Sequence, residues 1–128
     1  MSRESIHIGG FAHANPVPAA ARIGPYLFTG VLTGRDPETH EMPEALEDQM
    51  RNVFSHVREV MSAAGGTTAD IAKMTFWLVH YRDRDALNRE WIAMFPDEHD
   101  RPARQAMAAT LDGAALVQCD LVAVLGAS

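Results

Sequence analysis

The chain has 128 residues, of which 47% are hydrophobic, and carries a formal net charge of −6 at pH 7. That length suits one domain spanning residues 1–128 with a real core. The acidic balance and scattered basic residues exclude a nucleic-acid or anionic-membrane surface, which needs clustered Lys and Arg.

The first residues, Met1 to Ser5, lack the apolar stretch of a signal peptide, and glycines and charges interrupt every apolar run. A cytoplasmic protein is expected. Cys119 is the sole cysteine, so no internal disulfide can form. In chain order, Ser5 to Ile8 alternates as a short strand. Residues 9–18, rich in Gly, Ala, Asn and Pro, predict a loop. Ala20 to Ile23 predicts a second strand, and Tyr26 to Leu32 a buried third one. Gly34-Arg35-Asp36-Pro37 and Thr39-His40 form the next loop.

Pro43 suits the first turn of a helix. After it, Leu46, Met50, Val53, Phe54, Val57, Val60 and Ala64 recur at steps of three or four, which is one apolar helical face. Gly65-Gly66 ends that helix. Met74, Phe76 and Leu78 alternate with Thr75, Trp77 and Val79 in a further strand. Asp83 is a candidate cap for a second helix, whose stripe is Leu87, Trp91, Met94 and Phe95 and which Pro96 ends. Arg104 to Leu111 and Leu116 to Leu125 predict two last strands, with Asp112-Gly113 as the turn between them. The fold class is therefore α+β: a mixed sheet of about six strands in the order β-β-β-α-β-α-β-β, with both helices on one face. Val117 and Leu121 are assigned to the other face. An apolar second face on so small a sheet calls for cover by an identical subunit.

Several segments in this order resemble the YjgF/RidA family. They are Arg22-Ile23-Gly24 with Leu27-Phe28-Thr29-Gly30; Gly34, Asp36-Pro37 and Thr39; Gln49, Asn52-Val53 and Ala63-Ala64-Gly65; Asp70 to Thr75; Asn88; and Phe95 with Pro102-Ala103-Arg104 near a C-terminal hairpin. The resemblance covers nearly the whole chain. It implies a chorismate-mutase-like fold, a homotrimer, and ligand clefts between neighbouring subunits. Deaminase members hydrolyse 2-aminoacrylate-type enamines or imines to 2-keto acids and ammonia, with no metal or organic cofactor. An arginine grips the substrate carboxylate and a glutamate positions water. A tyrosine, a serine and an asparagine line the cleft.

Carried over by position, Arg104 stands at the arginine and Asn88 at the asparagine. Gly30 replaces the serine and Val17 the tyrosine. Gln118 stands at the glutamate, with Asp120 at a second acidic position, and Ala106 follows Arg104 along its strand. The carboxylate anchor is kept and the water-activating carboxylate is not. The implied activity is deamination of a small enamine or imine acid. The room left by Val17 and Gly30 favours a bulkier substrate, such as an aminomuconate. The alternative is a non-catalytic trimer that binds carboxylates or partner proteins through the same clefts.

The residues themselves support a site at Arg104, because a planar guanidinium matches a carboxylate bidentately. A surface salt bridge is the other reading. Gln118 and Asp120 share one strand face roughly 7 Å apart, either as a cleft wall or as hydrogen-bonding groups at a subunit boundary. An amide can orient water but cannot take its proton. Asn88 is either an exposed helix residue or a cleft contact. Trp91 and Phe95 are core, and Trp77 is core or boundary. Cys119 reads as a buried small hydrophobe. The histidines lack metal-ligand spacing, and His40 and His56 read as solvated or satisfied side chains.

Overall fold

The structure is a computed structural model that describes residues 2–12 and 14–126. The strands are β1 (Arg3–Ile6), β2 (Ala20–Ile23), β3 (Tyr26–Thr29), β4 (Leu32–Thr33), β5 (Ile71–Leu78), β6 (Ala103–Ala108) and β7 (Val117–Val124). Helix α1 (Leu46–Ala63) precedes a 3-10 turn (Thr68–Asp70) and β5; α2 (Asp85–Met94) links β5 to β6. The sheet runs β1-β2-β3-β7-β5-β6, with β4 also paired to β7. Only β5 and β6 are parallel, and α2 is the crossover that parallel pairing requires.

The apolar stripe of α1 is buried as its periodicity predicts, with Met50, Val53, Phe54, Val57, Val60 and Met61 closed to solvent. On β5 the same side carries Met74, Phe76 and Leu78. Aromatic contacts then tie both helices to the sheet. Phe54 stacks on Phe76 at 5.8 Å between centroids, Phe76 meets Trp91 at 6.5 Å, and Trp91 meets Phe95 at 4.8 Å.

Gln49 is the polar pin of this core. It is fully buried on α1. Its Nε2 donates to the carbonyls of Pro43 (2.7 Å) and Ala114 (3.0 Å), and its Oε1 accepts from the Leu116 N–H (2.8 Å). Gly34 passes so close that an added Cβ would lie 2.6 Å from the Gln49 Cα. The start of α1 is thereby locked to the chain just after β4 and just before β7.

Four expectations need correction. Val117 and Leu121 are buried with Cys119 and Ala123 against the helices, and Gln118, Asp120, Val122 and Val124 take the open face. Both alternate sets on β7 contain apolar residues, so alternation alone does not decide which set faces α1. The open face is still apolar in part: Phe28 and Tyr26 are 49% and 48% exposed, beside Val122 and Val124 in the register. Next, β6 and β7 are not a hairpin. They flank β5 on opposite sides, and the segment containing Asp112-Gly113 carries the chain past the end of β5, where Ala109 N–H meets the Leu78 carbonyl and Val79 N–H the Leu116 carbonyl. The strand expected over Tyr26 to Leu32 is split into β3 and β4, with the Gly30 N–H turned to the Ala19 carbonyl. Finally, Pro43 lies ahead of α1, whose N-cap is Ala45. Arg84 holds the N-cap position of α2 without a side-chain bond, while Asp83 Oδ1 accepts the Asp85 N–H at 3.4 Å, in keeping with the cap expected there.

Gly65 and Gly66 close α1 as expected. Gly65 has φ of 81°, and its N–H donates to Ser62 while that of Gly66 donates to Met61, the paired bonds of a Schellman end. Gly65→Ala should cost about 1–2 kcal/mol, because a Cβ opposes the left-handed backbone. A urea melt with an unchanged slope and a lowered midpoint checks it; an unchanged midpoint contradicts it.

Candidate functional site

Arg104 lies on β6 opposite Met74, on the helix side of the sheet. Its Nη1 donates to Asn88 Oδ1 at 2.9 Å, and its guanidinium carbon sits 5.1 Å from the Trp91 ring centroid. Asn88 and Trp91 are three residues apart on α2, so one helical turn presents both to the same cation. Burial, and then the neighbouring Arg84 charge, lower the Arg104 pKa. Arginine stays charged nonetheless. Asn88 uses one donor of the fork, and the fork has more to offer an anion. Ala106 follows on the same side, opposite Phe76. These three predicted residues are brought together at one sheet edge.

Gln118 is elsewhere. It pairs with Thr33 and Trp77 in the register, on the face away from the helices. It lines an open hollow of about 660 Å³ whose other walls include Phe11, Asn15, Thr33, Arg35 and His40. Val17 belongs to a neighbouring depression that shares Phe11, Ala12 and Asn15 with this hollow. Asp120 sits on the open face opposite Thr75 and does not line the hollow. Burial raises its pKa, and Lys73 partly offsets that. Cys119 faces the core, and burial pushes its thiol pKa well up, which suits an inert small hydrophobe.

Two side chains of α1 hold the hollow's walls from behind. Glu59 Oε1 accepts the N–H groups of Gly9 (2.9 Å) and Gly10 (3.1 Å). His56 is fully buried, not solvated, with Nε2 2.7 Å from the Arg35 carbonyl and its ring 5.2 Å from that of Phe11. Nε2 must carry a proton to make that bond. Burial lowers the His56 pKa, so the imidazole is neutral near pH 7. Its Nδ1 has no partner among the described residues. Among the described residues, no cluster of His, Cys, Asp and Glu is arranged to hold a metal ion, and no helix is long and apolar enough to cross a membrane.

Residues 11–125 match the family model described as Endoribonuclease L-PSP. The chain belongs to this family, the YjgF/RidA family. A RutC family protein of Haemophilus influenzae is 33% identical over 106 residues, covering 74% of this chain and 80% of its own length. TdcF of Escherichia coli, named a reactive intermediate deaminase, is 31% identical over 66% of this chain and 64% of its own length. The crystal structure of E. coli TdcF with bound serine superposes with a TM-score of 0.86 at 23% identity, covering 94% of this chain and 98% of that one.

Within this RidA-family fold, Arg104 and Gln118 occupy opposite faces of one sheet. One subunit cannot direct both at a single small ligand. Arg35, His40 and Thr33 carry polar groups into the Gln118 hollow that sequence reasoning passed over as loop or solvated residues. The one local signal was a histidine in a turn otherwise built from Asp, Pro, Glu and Thr.

Proposed function

We propose that this chain is a hydrolytic deaminase of a small enamine or imine carboxylic acid, working without a metal or organic cofactor in clefts between the subunits of a homotrimer. The observation that carries this is the setting of Arg104, held by Asn88 and over Trp91. A half-buried guanidinium steadied by a neutral amide and an aromatic face, and not by a carboxylate, keeps its charge available to a substrate anion. The separation of Arg104 from Gln118 supports a shared cleft, with Arg104 from one subunit and Gln118 from the next. The apolar open face, with Tyr26 and Phe28 half exposed, supports cover by further copies. The name of TdcF and the serine in its structure agree with a small amino- or imino-acid ligand.

Water would attack the iminium carbon and ammonia would leave, giving a keto acid. Such substrates are already reactive, so positioning and charge stabilisation can carry much of the rate. Val17 and Gly30 leave room for an aminomuconate-type substrate. Gln118 favours a second reading, a non-catalytic carboxylate- or partner-binding trimer, because its amide cannot take a proton.

The test is keto acid and ammonia formation from freshly generated 2-aminoacrylate and from an aminomuconate-type acid. Release above the uncatalysed rate is expected for at least one, and absence for both favours the binding reading. Mixing then tests the shared cleft. Arg104→Ala and Gln118→Ala subunits, refolded together in equal amounts, should recover about a quarter of the wild-type activity, since one interface in each mixed trimer keeps both residues. No recovery, or a monomer by light scattering, defeats the inter-subunit site.

A further inference from the structure

The loop between β4 and α1 is built around one strained residue. His40 has φ of 63°, the only positive value outside glycine among the described residues. A side chain there crowds the backbone, and glycine would remove that cost. Asp36 closes the turn: its Oδ1 accepts the N–H groups of Glu38 (2.8 Å) and Thr39 (3.0 Å), its carbonyl accepts that of His40 (2.9 Å), and its own N–H donates to the Glu41 carbonyl (2.8 Å). None of these bonds uses the imidazole. Arg35 Nη1 donates to the His40 carbonyl at 3.2 Å. The turn therefore sets Arg35 and His40 side by side, and both line the Gln118 hollow. Thr33 lines it too, and its Oγ1 is buried without a partner among the described residues. Asp112 is the hollow's acidic residue. Arg35 offsets its charge, and the imidazole and hydroxyl add donors.

Strain kept at a surface turn points to a use for the side chain. We infer that Arg35, His40 and Thr33 form an anion subsite that takes a second carboxylate of the substrate, so that the natural substrate is a dicarboxylic enamine or imine acid. This rests on the reading of Arg104 as the first carboxylate anchor. It replaces an argument from cleft size with one from charged and hydrogen-bonding groups.

Calorimetry with length-matched pairs tests it: hexanoate against adipate, and butanoate against succinate. The wild type should bind a dicarboxylate about tenfold more tightly than its monocarboxylate partner. Arg35→Gln should erase that preference, so that adipate and hexanoate bind the variant alike. His40→Gly should reduce the preference without lowering the melting temperature, since glycine accepts the turn. Inorganic phosphate should weaken adipate binding to the level of hexanoate. Equal affinity for the two acids in the wild type overturns the subsite, as does a preference that survives both variants. So does a melting temperature that falls in His40→Gly, or phosphate binding that ignores adipate. The Arg104 reading fails separately: there, hexanoate would bind Arg104→Ala as it binds the wild type.

Discussion

Arg104→Ala is expected to lower affinity for small carboxylates by about 10²–10⁴-fold, because two charge-assisted hydrogen bonds of about 1.5–3 kcal/mol each are lost. The structure adds a control. Arg104 also bonds Asn88 and lies over Trp91, so its removal touches the packing of α2. Asn88 is only half-buried, and its freed amide oxygen can be hydrated. The fold should therefore survive with a modest loss of stability. Arg104→Lys keeps the charge and the cation–π contact but not the fork, and should recover only a small part of the affinity. Asn88→Ala should fall between, since the guanidinium stays but loses the group that aims it. Calorimetry on folded variants decides this. Equal carboxylate affinity in the wild type and Arg104→Ala removes Arg104 from the site.

Helix α1 and its glycine end were legible because their determinants are local: a stripe at steps of three or four, then two glycines. The strands were legible as segments. Their neighbours were not, because pairing is set by distant residues. Asp112-Gly113 is a sound turn signal, yet it cannot say that β5 lies between the two strands it separates. Likewise Val117 and Val122 are equally apolar, and only the packed helices decide which is covered.

The candidate site divides the same way. Arg104 and Asn88 were identified one by one through the resemblance, and the structure shows that they touch. Gln118 was placed on a polar strand face, and the structure gives it a hollow. Arg35 and His40 were illegible as a pair. Their meaning depends on a backbone angle at His40 and on where the hollow opens, and neither is written in residue spacing. His56 read as a solvated or satisfied histidine. Its burial and its single-sided bonding appear only once Arg35 and Phe11 are packed around it.

Gln118→Glu is expected to raise keto acid formation from 2-aminoacrylate-type substrates, with general-base help typically worth about 10²–10⁴-fold. The substitution is nearly isosteric, and Gln118 sits at the hollow rather than in the core, so folding should be little affected. The carboxylate would stand beside Thr33, its partner in the register, whose Oγ1 has no partner among the described residues and can donate to it. Two features limit the gain. Asp120 shares the face, and burial already raises its pKa, so this part of β7 disfavours negative charge. A second carboxylate there adds like-charge repulsion, which raises the pKa of one of the two. Val17 and Gly30 also remain unlike the tyrosine and serine of the deaminase site. The sign with pH follows from the base role. The introduced carboxylate works only when ionised, so the gain should be full above its pKa and disappear as pH falls through it. Rates for the wild type, Gln118→Glu, and Gln118→Glu with Arg104→Ala across that range separate the possibilities. A folded, trimeric Gln118→Glu with no gain at any pH means that position 118 does not reach the reacting carbon. A gain that persists without Arg104 means that the substrate is held by some other group.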